Sequence, residues 1–292
     1  MQVAIFGRNF HPAYRENVAT LFSRLRSMNT QIVLYKPFYD FLRSGAGIDP
    51  EINGLFESYK DLPADIDFLF SIGGDGTFLE TLSIVRKRDI PVVGFNTGRL
   101  GFLSYISPEN LEESLDSIFN GRFEVEERML LEVASEGSSI PEFNMALNEV
   151  RIYKDSASLV TIHVYLNDEF LSSYWADGLI LSTPTGSTAY NLSVGGPIVV
   201  PESDTMVLSP IAPHNLTVRP LVLPGNARLR FRVDSRDPIY QIALDSRSYD
   251  VPAVENISIA KSDHTFKMVR IENISFYSTL RNKLMWGVDK RN

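Results

Sequence analysis

The first third of the chain alternates short apolar runs with segments that carry apolar residues at helical spacing. The apolar runs predict buried strands at residues 3–6, 31–35, 66–72 and 91–94. Residues 14–28 predict a helix, and a second helix follows the third strand with Thr77 as its N-cap. A strand, a helix and a strand in succession form a βαβ unit, so we expect a parallel sheet.

The pattern changes after about residue 123. Apolar and polar residues then alternate with a period of two, at 160–166, 229–233, 240–244, 257–259 and 267–271. Many short alternating strands are typical of an all-β sandwich. Residues 277–286 return to helical spacing.

These patterns predict two domains and a short C-terminal segment. We expect an α/β N-terminal domain with a parallel, Rossmann-like sheet at 1–123, and an all-β, sandwich-like domain at 124–275. Residues 276–292 are expected to form a C-terminal tail whose helix packs back on the N-terminal domain. The length of 292 residues agrees with two domains, because one domain takes roughly 150 residues.

Composition narrows the class of protein. The chain has 28 Lys and Arg against 36 Asp and Glu, a net charge of −8, which argues against a nucleic-acid or anionic-membrane surface. It contains no cysteine, which excludes disulfides, thiolate metal sites and cysteine nucleophiles. No run approaches the about 18 apolar residues of a membrane span, and residues 1–7 predict a strand rather than a signal peptide. We expect a cytoplasmic protein.

The most informative turn is Gly73-Gly74-Asp75-Gly76, between a predicted strand and a predicted helix. Glycine lets a ligand approach the main chain, and the N–H groups at a helix start favour a phosphate. A carboxylate in such a turn would repel phosphate unless it accepts a proton from an attacking hydroxyl or holds a divalent cation. Both interpretations indicate phosphoryl transfer. The alternative is an ordinary tight turn in which Asp75 stabilises the helix dipole.

Two familiar phosphate motifs are absent from the sequence. There is no Gly-x-x-x-x-Gly-Lys-Ser/Thr loop and no Gly-x-Gly-x-x-Gly after the first strand. The turn from Ile72 to Thr77 resembles instead the signature of a kinase superfamily that includes NAD kinases, lipid kinases and phosphofructokinases. The turn alone does not choose among them.

Three further segments carry candidate chemistry. Asn96 to Leu103 reads Asn-Thr-Gly-Arg-Leu-Gly-Phe-Leu, in which Phe102 offers a ring to a base or packs in the core. Asn148 and Glu149 suit two adjacent hydroxyls of a ribose, or are a plain strand start. The run from Ala176 to Pro197 contains a loop of hydroxyls and glycine that suits a polar ligand with a diphosphate and an amide, or is a Ser/Thr-rich surface loop.

Taken together, these segments resemble the NAD kinase family. The glycine-rich turn, the Asn-x-Gly-x-Leu-Gly-Phe-Leu segment, the Asn-Glu pair and the long Asp-Gly-Leu-Ile run occur here in that order. The segment Thr279-Leu280-Arg281-x-Lys283-Leu284-x-Trp286 also resembles the family pattern. The resemblance covers about residues 66–286, and lipid kinases share only the turn.

The resemblance implies roles for individual residues. Asp75 would act on the 2′-hydroxyl of the adenosine ribose of NAD, and Phe102 would contact the adenine. The ATP phosphates would be bound by Gly73, Gly74, Gly76 and Thr77. The NAD pocket would comprise Asp75, Gly76, Phe102, Asn148, Glu149, Asp177, Thr188, Ala189, Tyr190, Ser193 and Asp245. The family commonly has Gly-Gln after the last of these, whereas Ser246 and Arg247 follow here.

The implied function is phosphorylation of NAD by ATP to give NADP. The alternatives are a diacylglycerol or sphingosine-type lipid kinase on the same scaffold and a non-catalytic NAD(P)-sensing module. No lysine or arginine of these motifs is an obvious cation for the triphosphate, so we expect a divalent metal, Mg²⁺ or Mn²⁺, held mainly through the ATP phosphates. ATP and NAD are the expected partners, and the chain is expected to form a homo-oligomer, a dimer or tetramer.

Overall fold

The computed structural model describes residues 1–98, 101–137, 139–154, 160–271 and 275–287. The strands are β1 (Gln2–Gly7), β2 (Gln31–Tyr35), β3 (Gly54–Phe56), β4 (Phe68–Ile72), β5 (Val92–Phe95), β6 (Phe123–Ser135), β7 (Met145–Ala146), β8 (Glu149–Tyr153), β9 (Val160–Leu166), β10 (Glu169–Ala176), β11 (Gly178–Ser182), β12 (Thr205–Ile211), β13 (Leu221–Pro224), β14 (Leu229–Asp234), β15 (Ile239–Leu244), β16 (Arg247–Pro252) and β17 (Ile257–Ile271). The helices are α1 (Arg15–Ser27), α2 (Lys36–Phe41), α3 (Asp75–Val85), α4 (Leu111–Phe119), α5 (Tyr190–Ser193) and α6 (Phe276–Leu284).

The chain forms two compact units. The first comprises Met1–Glu127 and the chain from Lys267 onward, and the second comprises Arg128–Phe266. The chain passes from the first unit to the second after Glu127 and returns after Phe266. Both points lie inside long strands, β6 and β17, so they differ from the domain boundaries predicted at 123 and 275. The division of the chain into functional domains at 1–123, 124–275 and 276–292 stays a prediction.

The first unit contains the predicted parallel sheet. Its strands lie in the order β5-β4-β1-β2-β3, and every neighbouring pair is parallel. The end of β17 adds to β5, also in parallel. Every residue of β4 is buried, as expected for a strand covered on both faces. The sheet class expected from the alternating strands and helices is confirmed.

Helix α3 begins three residues earlier than predicted (77 − 74). Its N-cap is Gly74 rather than Thr77, and Asp75 is its first residue. The extended backbone of Gly74 lets its carbonyl accept the first helical hydrogen bond, from Phe78 over 3.0 Å. Thr77 therefore lies inside the first turn, and the N-cap prediction was wrong.

The C-terminal helix α6 belongs to the first unit, as predicted. Ser275 and Ser278 form a capping box at its start, with each backbone N–H bound by the other's hydroxyl over 3.1 Å. Thr279 and Leu280 are its buried residues. The capping box stabilises the helix start, and the burial of Thr279 and Leu280 packs the helix within the unit.

The second unit is the predicted sandwich. One sheet has the order β13-β12-β11-β8-β15-β16, and all its neighbouring pairs are antiparallel. The other includes β10-β9-β14-β17, also antiparallel. Alternate residues of both sheets meet in one apolar core, among them Val150, Ile152, Ile162, Val164, Phe231 and Ile259. Strand β17 was expected as two short strands but is continuous, because its alternation of buried and exposed residues largely persists between them.

Within the part of the chain that the structure describes, no helix is both long enough and apolar enough to span a membrane.

Candidate active site

A glycine-rich turn joins β4 to α3 in the first unit. Gly73 donates its N–H to the carbonyl of Phe95 on β5 over 2.9 Å. A Cβ at residue 73 would overlap with the side chain of Thr77, so the close approach requires glycine. The turn holds the start of α3 at the carboxyl edge of the parallel sheet, where open α/β sheets bind ligands.

Gly74 and Gly76 leave the start of α3 uncovered. A Cβ at either position would meet no atom within 4 Å. The first N–H groups of a helix have no partner inside it and carry partial positive charge. Since no side chain covers these two residues, a phosphate group has room to approach the helix start.

The carboxylate of Asp75 is bound by three consecutive backbone N–H groups. Its Oδ2 accepts from Phe102 over 2.8 Å, and its Oδ1 accepts from Leu103 and Ser104 over 3.0 Å each. The side chain is nevertheless 28% exposed. The carboxylate is therefore fixed in orientation and still open to solvent on one side.

Two glycines, Gly94 on β5 and Gly101 in the loop that follows, let this loop close on Asp75. A Cβ at Gly101 would overlap with Oδ1 of Asp75, and one at Gly94 would lie 2.8 Å from the Cα of Ser104. The buried side chain of Asn96 donates to the carbonyl of Ser104 over 2.9 Å. The Asn-x-Gly-x-Leu-Gly-Phe-Leu segment thus shapes the loop that holds Asp75.

Phe102 and Lys283 lie beside the same carboxylate. The Phe102 ring centre is 6.0 Å from that of Phe276 on α6. The Nζ atom of Lys283, also on α6, lies 4.8 Å from the Phe102 ring centre and 3.4 Å from Oδ2 of Asp75. The sequence patterns did not single out this cation, although Lys283 stands in the C-terminal segment that resembles the family pattern.

A second carboxylate is held in the same way in the other unit. Asp245 follows β15, and its Oδ2 accepts from the N–H of Leu147 over 2.9 Å. Its Oδ1 accepts from Asn148 over 2.8 Å and from Glu149 over 3.2 Å. Asp245 therefore positions the Asn148-Glu149 pair through the backbone.

Arg247 reinforces this segment. Its guanidinium donates to the carbonyl of Phe143 over 3.1 Å and to the carbonyl of Met145, and it lies over the Phe143 ring. Arg247, which is part of the departure from the family's usual Gly-Gln, thus holds the backbone that leads to Asn148.

Glu149 has an unusual electrostatic environment. Its Oε2 atom is buried with no hydrogen-bond partner. Burial disfavours the charged form and the neighbouring Asp245 carboxylate repels it, so the pKa of Glu149 is raised to about 8, although Arg151 acts in the opposite direction. The raised pKa favours the protonated form of Glu149, which can donate a hydrogen bond as well as accept one.

The hydroxyl-rich run is locked onto the Asn148 segment. The hydroxyl of Thr183 donates to the carbonyl of Leu147 over 2.6 Å and accepts from the N–H of Gly186 over 3.0 Å. A Cβ at Gly186 would overlap with the backbone of Asn148. Ser187 is buried and donates to the carbonyl of Val199 over 3.1 Å. These hydroxyls hold the loop in place.

The other predicted NAD-binding residues of this unit lie nearer the surface. Asp177, Tyr190 and Ser193 are exposed, and Thr188 and Ala189 are half-buried. The guanidinium of Arg151 lies 5.4 Å from the Tyr190 ring centre, a distance at which a cation and a ring attract each other.

Each unit therefore gathers one set of predicted residues. The first unit brings the turn, Gly73 to Thr77, together with Phe102, and the second joins Asn148, Glu149 and Asp245 to the hydroxyl-rich run. Arg99 and Leu100 lie outside the described residues. Over the described ranges, no group of three or more His, Cys, Asp or Glu side chains could hold a metal ion.

A carboxylate set beside the open start of a helix, at the carboxyl edge of a parallel sheet, is the arrangement expected of a phosphate-transferring enzyme of the kinase class. Two protein-family models that match the chain identify the family within this class. The ATP-NAD kinase N-terminal domain matches residues 56–123, and the ATP-NAD kinase C-terminal domain matches residues 147–271. The chain belongs to the NAD kinase family and is an NAD kinase.

Individual relatives agree over the full length. The chain is 43% identical to the NAD kinase of Flavobacterium psychrophilum and 40% identical to that of Bacteroides fragilis strain ATCC 25285, with 100% of both chains covered in each case. The comparisons give no support to a lipid kinase or a sensing module.

Two solved structures share the fold. Yeast NADH kinase complexed with NADH matches with a TM-score of 0.85 and 22% identity, covering 99% of this chain and 88% of that one. An NAD kinase from Archaeoglobus fulgidus in complex with ATP matches with a TM-score of 0.73 and 26% identity, covering 98% and 99%.

Proposed function

We propose that the chain transfers the terminal phosphoryl group of ATP to the 2′-hydroxyl of the adenosine ribose of NAD, with Asp75 as the proton acceptor. The bond from that oxygen to phosphorus forms, the bond from phosphorus to the ADP oxygen breaks, and the hydroxyl proton passes to Asp75. The supporting observation is the Asp75 carboxylate, held by three N–H groups beside the open start of α3. Phosphoryl transfer depends mostly on such alignment and on charge compensation.

On the donor side, Gly73, Gly74, Gly76 and Thr77 would bind the ATP phosphates. The open space over Gly74 and Gly76 supports this assignment, because a bound phosphate needs direct access to N–H groups. Gly73 serves the same purpose indirectly, since it permits the turn to close against Thr77.

On the acceptor side, Asn148 and Glu149 would bind ribose hydroxyls, and Asp245 would hold that pair in place. An amide and a protonated carboxyl can each donate and accept, which suits a diol. The remaining NAD contacts are assigned to Phe102, Asp177, Thr188, Ala189, Tyr190 and Ser193. The support for the last five is their surface position beside the loop that the buried hydroxyls fix.

We further propose that a divalent metal, Mg²⁺ or Mn²⁺, enters as the metal complex of ATP. Triphosphate oxygens are good ligands for such hard cations, and the metal then neutralises charge on the transferring group. Activity should therefore disappear in excess chelator and return when Mg²⁺ is added. Full activity in chelator would contradict the proposal.

We also infer a cytoplasmic homo-oligomer, either a dimer or a tetramer. The cysteine-free composition suits a reducing compartment. Trp175, Leu216 and Val222 of the second unit are 51%, 86% and 49% exposed, and covering apolar surface with a second copy would remove it from water. Light scattering during size-exclusion chromatography should give a multiple of the chain mass, and a monomer mass would contradict the inference.

The decisive experiment measures NADP formation by the wild type and by Asp75→Asn, with ATP and Mg²⁺. A positioned base contributes about 10²–10⁴-fold in rate, so the variant should lose at least about 10²-fold in kcat while calorimetry still detects NAD binding. Near wild-type turnover would show that Asp75 is not the acceptor. Diacylglycerol in place of NAD serves as the control acceptor and should remain unphosphorylated.

A further inference from the structure

The last helix presents a single ammonium group to the proposed catalytic carboxylate. The Nζ of Lys283 lies 3.4 Å from Oδ2 of Asp75. This is longer than the 2.7–2.9 Å that is typical of a tight charge-assisted hydrogen bond. The pair is therefore in contact without being locked, and both side chains are partly exposed, 35% for Lys283 and 28% for Asp75.

The backbone that carries Lys283 is well anchored. Helix α6 starts at the Ser275–Ser278 capping box and buries Thr279 and Leu280. Phe276 packs near Phe102, one of the three residues whose N–H groups hold Asp75. A fixed helix with a flexible four-carbon side chain can deliver one charge to several nearby positions.

The acceptor capacity of Asp75 limits what can happen at the carboxylate. An ionised carboxylate offers about four lone-pair positions, and backbone N–H groups use three of them. Lys283 stands against Oδ2, the oxygen that accepts only one backbone bond. A hydroxyl that gives its proton to Asp75 needs this same position, so Lys283 must leave it when the acceptor binds.

The incoming phosphates provide a new partner for the displaced ammonium. Lysine binds phosphate as a compact point charge, and the phosphoryl group must come next to the hydroxyl that Asp75 binds. Arg8, another cation that contacts α3, is held by Glu80 instead. Lys283 is thus free to change partner where Arg8 is not.

We propose that Lys283 is a catalytic cation of this enzyme. It neutralises Asp75 while the site is empty, and it moves to an oxygen of the transferring phosphoryl group when both substrates bind. This inference rests on the proposed role of Asp75, and it assigns a function to the C-terminal segment from Thr279 to Trp286. Without Lys283, the carboxylate would repel the phosphates that must approach it.

The test compares Lys283→Met, Lys283→Arg and Arg281→Ala in the full chain. Met keeps most of the stem without the charge, Arg keeps a charge, and Arg281 is an exposed cation of the same helix. Removing one preorganised charge partner of a transition state costs about 10²–10³-fold in kcat. Lys283→Met should show such a loss, Lys283→Arg should recover at least about tenfold of it, and Arg281→Ala should stay within about twofold of wild type.

A second readout separates charge from structure. Ethylammonium added to Lys283→Ala should raise kcat in a saturable manner, whereas tetramethylammonium, which cannot donate a hydrogen bond, should not. Thermal unfolding midpoints of all four variants should match that of the wild type. A Lys283→Met enzyme with wild-type kcat, or a Lys283→Arg enzyme as impaired as Lys283→Met, overturns the proposal.

The proposed function and this inference fail in different ways. A wild type that forms no NADP, or an Asp75→Asn variant with full turnover, contradicts the proposed function. A wild type that needs Asp75 but tolerates Lys283→Met contradicts only the role of Lys283.

Discussion

Asp75 and Gly101 fit together so closely that no side chain can stand at residue 101. A Cβ there would overlap with Oδ1 of the Asp75 carboxylate. The missing side chain lets the N–H groups of the next three residues turn toward that carboxylate. The orientation of the proposed base is thus set by a glycine 26 residues away in sequence (101 − 75).

Gly101→Ala should therefore inactivate the enzyme without unfolding it. The added methyl must displace Asp75 or the loop, which costs about 1–3 kcal/mol of stability as overpacking does. Loss of a positioned base lowers kcat by about 10²–10⁴-fold. The matched control is Gly98→Ala, where a Cβ would meet its nearest atom at an ordinary 3.6 Å. Equal activity of the two variants in a steady-state assay would contradict this relationship.

Gly76→Ala should weaken ATP binding without lowering the stability of the fold. Residue 76 is in the first turn of α3 and its Cβ would point into open space. Alanine in a helix is favoured over glycine by about 0.5–1 kcal/mol, so urea unfolding should show equal or higher stability. The methyl would nevertheless shield the N–H groups proposed for ATP, and losing one hydrogen bond to a charged phosphate should raise KM for ATP at least about tenfold. An unchanged KM would show that phosphate does not bind there.

Local patterns predicted the elements of the first unit well. The strand at 31–35 and the buried face of α1, Val18, Leu21, Phe22 and Leu25, follow directly from apolar spacing. The predicted start of α3 was wrong because the extended Gly74 caps the helix before Thr77 is reached, although threonine is a favoured N-cap residue.

The partners of the candidate residues could not be predicted from spacing. Asp75 meets Phe102 and Lys283, which are 27 and 208 residues away in sequence, and only the fold brings them together. The hydroxyl-rich run looked like a ligand-binding surface, yet Thr183 and Ser187 turn inward to backbone groups. Polarity indicates that a hydroxyl needs a partner, but it does not tell whether that partner is the ligand or the chain itself.

Asp245→Ala should weaken both the fold and NAD binding. The change leaves three backbone N–H groups at Leu147, Asn148 and Glu149 without their acceptor, and unsatisfied groups of this kind cost about 1–3 kcal/mol each when buried. KM for NAD should rise because the Asn148-Glu149 pair loses its support. Asp250→Ala is the matched control, since Asp250 is an exposed carboxylate on the adjoining strand β16. Similar effects from both substitutions would contradict a positioning role for Asp245.

Glu149→Gln should change how stability depends on pH. The pKa of Glu149 is raised from 4.5 to about 8 in the folded chain, so between these values the folded state holds a proton that the unfolded state has lost. Stability contributed by this group is therefore present below pH 4.5 and declines as pH rises toward 8, by roughly 1 kcal/mol for each pH unit. Glutamine does not titrate, so the variant should lose less stability than the wild type between pH 5.5 and 8.5 in urea unfolding. Glu142→Gln, at an exposed position of the preceding loop, should follow the wild-type curve, and parallel curves for all three proteins would show that Glu149 is ionised throughout.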